Sequence, residues 1–419
     1  MNDFLFLLRR NRNYRYAWLG QVVSEVGTHF NNIAVATLVL KTTGSGLAVG
    51  IMLLVRAVPA LLAGSSAGVA LDRYDRRRIM IAADLARAAV ALAFLVSMSR
   101  AAVWTVYPLS ALLMLAAPFF TTGRVSILPS ITTGRELHVA NSLTQTTQWA
   151  TQIAGTMLAG YGVAWLGYGA AFVVNALGFL FSAATSWALR LPPGGFRTQQ
   201  DTATGLRPWH EYHEGLCYIA RTPLVRGIGL LTVGWAAGGG AAQLLFVLFG
   251  EQVFRRGSQG IGAMASFAGI GLLLGGLAGH AIGSRVNFAG YKRSVALAYV
   301  SHGLLFIVFS VAQGYVAALV LLAASRIGMA VTTVLNTEQL LRHTPDAYRG
   351  RVFGTMESLR WSTMIVSMAA ASVAADLVSP RVIGIVAGAF GAIAGVAWAL
   401  ANWRGWLPEP AEQREAIAE

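Results

Sequence analysis

The chain reads GVALDRYDRRR from Gly68 to Arg78. This basic segment separates two apolar stretches, residues 46–70 and 79–99, and each is as long as the roughly 20 residues that a helix needs to cross a bilayer. Arginine collects in the loops that stay on the cytoplasmic side of a membrane. The segment therefore predicts two helices that cross a membrane and return, joined by a short cytoplasmic loop.

Apolar stretches of this length recur over the whole chain, twelve in all. Of the 419 residues, 55% are hydrophobic and 12% are charged, against about 25% charged in soluble domains. This balance excludes an ordinary cytosolic enzyme, a disordered protein and a nucleic-acid-binding domain. Because lipid cannot hydrogen-bond an open backbone, we expect helices. The stretches are residues 17–40, 46–70, 79–99, 103–123, 142–165, 169–189, 227–250, 260–283, 294–312, 315–337, 352–375 and 382–403.

The charge distribution predicts the orientation of the chain. Most of the 32 lysine and arginine residues fall in alternate loops, which places both termini in the cytoplasm. With a net charge of +14, these loops are expected to contact anionic lipid and not DNA. The single cysteine, Cys217, excludes an internal disulfide and a cysteine-based metal cluster. No histidine group has metal-ligand spacing and no nucleotide motif is present, so we predict no cofactor and no direct ATP coupling.

The longest connection divides the apolar stretches into six and six. It begins as a polar linker and continues with apolar residues at helical spacing, which predicts an amphipathic surface helix through Trp209, Tyr212, Leu216 and Ile219. Duplicated six-helix units are a recurrent plan of secondary transporters. We predict an N-terminal six-helix bundle at 1–189, a cytoplasmic linker at 190–226, a C-terminal six-helix bundle at 227–403 and a cytoplasmic tail at 404–419.

The segment from Gly68 to Arg78 resembles the cytoplasmic G-x-x-x-D-R-x-x-R-R signature of the major facilitator superfamily. The resemblance implies an all-α membrane protein with twelve transmembrane helices in two pseudo-symmetric six-helix bundles, which acts as a monomer and rocks around a central site. It also implies that the segment latches the two halves in the outward-facing state. Glycine permits close helix packing, and arginines hold the anionic leaflet. The alternative is a stop-transfer loop without a mechanical role. The gating residues predicted from this segment are Gly68, Asp72, Arg73, Arg76 and Arg77.

Shorter segments are similar to one branch of this superfamily, which contains macrolide-efflux proteins and the enterobactin exporter. They include Asn13–Arg15, Trp18–Gln21, Asp84–Arg87 and Arg349–Val352, and they imply export. The chain departs from the drug antiporters in two places. Its fourth apolar stretch lacks the R-x-x-Q-G motif, and its fifth lacks the proline of G-P-x-x-G-G.

Ionisable residues inside apolar stretches cost about 2.5–3.5 kcal/mol at mid-bilayer and mark functional sites. At a rise of about 1.5 Å per residue, Glu25 lies about 12 Å from the inner edge of the first stretch, and Arg326 about 16 Å from the outer edge of the tenth. We predict that these two residues are level across a cavity, with Arg56 as the rival partner of Glu25. Glu25 is predicted to couple protons or to bind a cationic group, and the arginine to shift its pKa or to bind an acidic group. A fixed structural pair is the alternative.

The first apolar stretch also carries a polar stripe. Gln21, Glu25, Thr28 and Asn32 recur at helical spacing, and the family resemblance implies that the first, fourth, seventh and tenth helices line the cavity. We predict that the stripe faces the solute, with a polar seam between helices as the alternative. Three further candidates are His29 as a proton relay, Trp235 beside the Gly238–Gly240 run, and Asn336 on the tenth helix. The glycine run is expected to interrupt the seventh helix, for bending or for close packing.

Two acid–arginine pairs lie three residues apart, Asp84 with Arg87 and Glu357 with Arg360. This spacing puts both members on one helix face. We predict that the pairs join Asp72 in gating. The alternative is a local ion pair that only neutralises its own helix.

Together these patterns predict a transporter and not an enzyme: a proton-driven exporter of a drug-like or secreted small molecule, such as a siderophore or an antibiotic, in the bacterial inner membrane. Its expected partners are the substrate, protons and anionic lipid. An importer or uniporter of a small polar metabolite is the alternative, and a membrane scaffold or sensor is the third class. A wide aromatic pocket favours export, and a tight pocket of paired polar groups favours uptake.

Overall fold

The computed structural model describes residues 2–190 and 208–410. All regular secondary structure in this part of the chain is helical, which confirms the predicted all-α fold. The helices are α1 (Asn2–Arg10), α2 (Arg12–Thr43), α3 (Gly46–Arg73), α4 (Arg76–Ala93), α5 (Val106–Ile131), α6 (Gly134–Ala150), α7 (Thr156–Trp187), α8 (Pro208–Arg221), α9 (Pro223–Leu248), α10 (Gly257–Gly283), α11 (Phe288–Val311), α12 (Tyr315–His343), α13 (Asp346–Ala374) and α14 (Pro380–Trp403).

Nine helical stretches in the described part are long and apolar enough to cross a membrane. One of them, Glu136–Trp187, is 52 residues long, which is enough helix for two spans. Gly167, with a φ of 80° and a ψ of 175°, breaks the helical backbone inside this stretch. Helices α2 and α13, of 32 and 29 residues, have the length of a span but are more polar. The chain is a multi-pass membrane protein, and the exact count of twelve spans stays a prediction.

Short capped turns join consecutive helices. Helix α2 ends at Gly44, whose φ of 68° is left-handed and suits a residue without a Cβ. Ser45 caps α3 by accepting a hydrogen bond from the Ala48 N–H. Asp75 caps α4 by accepting one from the Arg78 N–H at 3.0 Å. These caps satisfy backbone donors that the first turn of a helix leaves without a partner, so the basic segment itself contains a helix end and a helix start.

Tertiary contacts divide the chain into two compact units. The first unit groups the described residues of Met1–Ala203 with Phe249–Ser266, and the second groups those of Thr204–Leu248 with Phe267–Glu419. Within the first unit, the Thr156 and Ser266 hydroxyls are 2.8 Å apart, which ties the start of α10 to α7. The predicted domain boundaries stay predictions. Residues 191–207 of the predicted linker and 411–419 of the predicted tail lie outside the described part.

In the first unit α7 packs along α2, α4 packs against both α5 and α7, and α3 packs against α5. Helices α2 and α7 approach closely, because a Cβ on Gly27 would lie 3.0 Å from the Asn175 Cα. Tyr14 is fully buried, and its hydroxyl donates to the Ala140 carbonyl at 2.9 Å. The hydrophobic core of this unit thus also holds α6 against α2.

In the second unit α11 packs against α12 and α14, and α9 packs against α13 and α14. The glycine run of α9 is a close-packing surface. A Cβ on Gly238 would lie 2.2 Å from the Ala387 carbonyl oxygen, and one on Gly240 2.1 Å from that of Met364. Helix α9 is continuous through this run. The prediction that the run interrupts the seventh helix is therefore wrong, because the glycines bring two neighbouring backbones against an unbroken helix.

The predicted amphipathic helix is present as α8. Its Ile219 is buried in the hydrophobic core of the second unit, and Tyr218 stacks on Tyr348 of α13 with ring centroids 5.2 Å apart. Glu214 pairs with Arg351 of α13 at 3.0 Å. These contacts dock α8 onto α13.

Candidate functional site

A charged cluster in the first unit joins three helical segments. Glu25 on α2 pairs with Arg124 on α5, with 3.2 Å between Oε1 and Nη1. The Thr151 hydroxyl donates to Oε2 of Glu25 at 2.6 Å, and the Gln21 side-chain amide donates to Oε1 at 2.9 Å. Arg124 is 8% exposed, whereas the Glu25 side chain is 23% exposed. The carboxylate therefore has a buried cation, two neutral donors and an exposed edge.

Backbone geometry places Thr151 beside Glu25. A π-turn at Thr151–Gly155 connects α6 to α7, and such turns occur often at functional sites. Gly155 at its end leaves room for the His29 ring, since a Cβ there would lie 2.8 Å from His29 Cδ2. The cluster thus depends on an irregular turn in the helix that faces α2.

The partner of Glu25 differs from the prediction. Arg56 donates to the side-chain oxygens of Asn31 and Asn32, so its predicted pairing with Glu25 is wrong. Arg124 takes that place. Two amide oxygens about two turns beyond Glu25 on α2 accept from Arg56, which leaves the carboxylate to the arginine of α5.

Arg124 and Thr151 were not among the predicted site residues. Ending the fourth apolar stretch at residue 123 placed Arg124 in a loop, but α5 continues to Ile131. The signal was present, because apolar residues continue beyond the arginine at Ile127 and Leu128. Thr151 had no such signal, since several threonines precede it and only the π-turn selects one of them.

The other members of the predicted polar stripe have separate environments. The Thr28 hydroxyl donates to the Ser24 carbonyl of its own helix at 2.9 Å, and Asn32 accepts from Arg56. Gln21 and Glu25 are the two members of the stripe that hydrogen-bond to each other. The proton-relay role of His29 stays a prediction.

Asp84 and Arg87 form the predicted pair within α4, with 3.0 Å between Oδ1 and Nη1. Asp84 is 0% exposed and Arg87 5%. The guanidinium lies 3.9 Å from the ring centroid of Phe179 and 5.5 Å from that of Phe120. The pair therefore neutralises two buried charges inside one helix.

Glu357 and Arg360 also form the predicted pair, within α13. Their side chains are 55% and 28% exposed, and the Trp361 indole N–H donates to the same carboxylate at 2.8 Å. The two predicted pairs thus share a spacing but differ in burial. Their gating roles stay predictions.

Two arginines of the basic segment bind helix carbonyls. Arg76 donates to the Ser126 carbonyl of α5 at 2.8 Å. Arg77 donates to the Ser186 carbonyl at 3.2 Å and also to the Trp187 carbonyl, both near the end of α7. Cations near the last carbonyls of a helix complement its dipole. Within the first unit, these arginines tie the start of α4 to α5 and α7.

Among the described residues, Gly68 makes no close contact with another helix. A Cβ on Gly68 would meet no described atom within 4 Å beyond its own helix backbone, whereas Ala67 is fully buried. In the described part of the first unit, the packed face of α3 therefore passes through the preceding residue, and the packing role of Gly68 stays a prediction. Arg73 is exposed, and the Asp72 side chain lies outside the described part. The gating role of the segment stays a prediction.

The second unit contains a cavity of about 370 Å³ between α9, α11, α12 and α13. Most of its walls are apolar, which is typical of small-molecule sites. Trp235 is 8% exposed, with no hydrogen-bond partner for its Nε1 among the described residues. The Asn336 side-chain oxygen accepts from the Tyr291 hydroxyl at 2.9 Å. Four predicted site residues line this cavity: Trp235, Asn336, Glu357 and Arg360.

Arg326 lies on α12, one turn before Met329 of the cavity wall. It is 6% exposed, and its guanidinium lies 5.5 Å from the ring centroid of Phe246 and 5.4 Å from that of Phe306. Nη1 contacts the Met329 sulfur at 3.6 Å, and Nε has no partner among the described residues. Arg326 is thus a buried cation whose described contacts are two aromatic rings and a thioether.

A multi-pass helical chain with acid–arginine pairs and a helix-lined cavity is typical of membrane transport proteins. The described part contains no group of three or more His, Cys, Asp and Glu residues that could hold a metal ion. The family model of the Major Facilitator Superfamily matches residues 17–367, and the chain belongs to this family.

Relatives and solved structures agree with this assignment. The chain is 26% identical over 403 residues to the MFS-type transporter YfiS of Bacillus subtilis (strain 168), which covers 91% of each chain. It is 27% identical over 367 residues to the multidrug efflux pump Tap of Mycolicibacterium fortuitum, 85% of this chain and 87% of that one. Macrolide efflux protein A of Streptococcus pyogenes is 25% identical over 204 residues, 48% of this chain and 50% of that one. A bacterial homologue of the iron transporter ferroportin shares the fold, with a TM-score of 0.69 and 16% identity over 92% of this chain and 98% of that one.

Proposed function

We propose that this transporter exports a drug-like or secreted small molecule across the bacterial inner membrane, driven by the proton gradient. The names of two relatives, a multidrug efflux pump and a macrolide efflux protein, support export. In the proposed mechanism the two halves rock, so that the binding site opens to one side of the membrane and then to the other. Both termini are cytoplasmic, and the protein acts as a monomer.

The observation that carries the proton coupling is the Glu25 cluster. Glu25 is partly exposed and can exchange a proton with water, whereas its partner Arg124 is buried. Protonation removes the charge that offsets Arg124, and a buried charge without its partner is costly. The ion pair joins α2 to α5, and the Thr151 hydrogen bond joins α2 to the turn before α7. A proton on Glu25 therefore loosens contacts between three helical segments, as coupling requires.

The remaining sites take supporting roles in this proposal. The second-unit cavity, with Trp235 and Asn336, holds part of the substrate. The basic segment acts as a gate and holds the anionic lipid of the inner leaflet, since Arg73 and Arg78 are exposed beside the capped turn. Asp84 with Arg87 neutralises two buried charges within α4 while that gate moves.

The test uses purified protein in liposomes with a preset pH gradient and an interior pH probe. We expect one chemical class among macrolides, lipophilic cations, catecholate siderophores, sugars and amino acids to trigger proton flux. Glu25→Gln should abolish that flux, because the amide keeps the shape of the side chain but cannot exchange a proton. Glu338→Gln, at an exposed carboxylate on α12, is the matched control and should behave as wild type.

Two outcomes would contradict the proposal. Substrate-triggered proton flux of wild-type size in Glu25→Gln would remove the coupling role from this residue. Substrate binding without proton flux in the wild-type protein would favour a uniporter instead.

A further inference from the structure

We propose that Arg326 binds the anionic group of the substrate, so that the second-unit cavity takes an organic anion with an apolar body. The proposal deepens the proposed function and rests on it for the statement that a small molecule enters this cavity. The assigned ligand class is a carboxylate, sulfonate or phosphate attached to an apolar group. This assignment rests on the surroundings of the Arg326 side chain.

The first observation is that Arg326 has no anionic partner among the residues that the structure describes. Three arginines are buried in the described part: Arg87, Arg124 and Arg326. Arg87 pairs with Asp84 and Arg124 pairs with Glu25. Arg326 forms no ion pair with any described carboxylate, and the contact of its Nη1 is the weak acceptor sulfur of Met329. A guanidinium has five N–H donors, so most of the hydrogen-bonding capacity of Arg326 is unused.

The second observation is the cost of this arrangement. A buried charge without a partner is disfavoured, and intramembrane arginines occur where they pair or serve a substrate. The faces of Phe246 and Phe306 offset part of this cost through cation–π contacts. They also orient the guanidinium plane, which leaves its donor edges for an acceptor that the described chain does not supply.

The third observation is the position of Arg326 on α12. Arg326, Met329, Thr333, Asn336 and Leu340 follow the three- and four-residue spacing of one helix face. The last four of these residues line the cavity. Arg326 therefore lies one turn, about 4.5 Å along the axis, beyond the cavity wall, and the flexible thioether of Met329 separates it from the cavity. Methionine adapts readily to a changed neighbour, so a ligand at this end can displace the thioether.

The apolar part of the remaining walls identifies the other part of the ligand, since the charged lining residues Glu357 and Arg360 pair with each other. Trp235, Tyr299 and Phe353 present aromatic surface, and Met356 adds apolar surface. A cavity of about 370 Å³ lies within the range of small-molecule sites. An aromatic or aliphatic body fits these walls. An oxyanion at the end of the cavity nearest Arg326 meets the guanidinium, whose planar fork matches a carboxylate or phosphate.

The test measures equilibrium binding of 2-naphthoate and of its neutral amide, 2-naphthamide, to the full-length protein in phosphatidylcholine nanodiscs. We expect the wild-type protein to bind the acid at least tenfold more tightly than the amide. Arg326→Gln should lose this preference by weakening acid binding alone, and Arg326→Lys should keep most of it. Arg381→Gln is the control, because Arg381 of the same unit donates to the Ser310 and Ala312 carbonyls and should not affect the preference.

Three results would overturn the proposal. They are equal affinity of the wild-type protein for acid and amide, no binding of either compound, and a preference that persists in Arg326→Gln. The first two need no variant, so a failure of Arg326→Gln to fold does not remove the test. A second arm adds phosphatidylglycerol to the nanodiscs, and loss of naphthoate binding there would assign the site to a lipid phosphate instead. Because binding is measured without a pH gradient, failure of proton coupling leaves the result unaffected.

Discussion

Asp84→Ala is expected to lower the free energy of unfolding by about 3–5 kcal/mol, the typical cost of removing one partner from a buried ion pair. The reason is the burial of Arg87, which is 5% exposed and lies between the Phe120 and Phe179 rings. Without Asp84 its charge has no carboxylate in α4 and little contact with water. The measurement is unfolding of the purified protein in mixed micelles of dodecyl maltoside and sodium dodecyl sulfate.

The chain supplies a matched control for this prediction. Glu357→Ala removes the acid of a pair with the same three-residue spacing, but the Glu357 side chain is 55% exposed, so the change should stay within about 1 kcal/mol. In the double variant Asp84→Ala/Arg87→Met the buried charge is gone, and most of the lost stability should return. Equal losses for Asp84→Ala and Glu357→Ala would contradict the assignment of Asp84 as the partner of a buried charge.

Gly275→Ala is expected to lower the free energy of unfolding by about 3 kcal/mol, the upper end of the usual cost of overpacking. A Cβ on Gly275 would lie 2.4 Å from the Ile327 carbonyl oxygen and 2.7 Å from the Ala330 Cβ. One of these atoms belongs to the backbone of α12, which cannot move by a rotamer change. The two helices must therefore separate, which opens voids along their contact.

The adjacent residue provides the control. A Cβ on Gly276 would meet no described atom within 4 Å, so Gly276→Ala should leave stability unchanged or raise it slightly, since alanine favours helix more than glycine does. Both variants can be compared by thermal unfolding in the same detergent. A loss of stability in Gly276→Ala as large as in Gly275→Ala would show that α10 and α12 do not pack through this face.

The two acid–arginine pairs of the first unit suit different tasks. Asp84 and Arg87 share one helix and are shielded from water, so their contact is unaffected when helices move relative to one another. Glu25 and Arg124 lie on different helices, and the carboxylate is partly exposed. A charge pair that responds to protons needs access to water, and one that drives a conformational change needs partners on separate elements. On both counts the Glu25 pair is the better candidate for coupling.

The local features of this protein could be predicted from its sequence. Apolar stretches of membrane-crossing length predicted an all-helical chain, and the family model confirms the superfamily. The pairs of Asp84 with Arg87 and of Glu357 with Arg360 were predictable because residues three apart face the same side of a helix. The amphipathic spacing at residues 209–219 predicted α8 for the same reason. Each of these features depends on neighbours within a few turns of the chain.

The tertiary structure decided which helix faces meet. Glu25 pairs with Arg124, 99 residues away, and not with Arg56, because the rotation of α5 and the π-turn at Thr151 determine which side chains reach the carboxylate. Ala67 and not Gly68 lies on the packed face of α3, and the glycines of α9 serve packing and not a break. A sequence states the periodicity of each helix but not its rotation or depth against a distant neighbour, because those are determined by side-chain packing between helices that are remote in the chain.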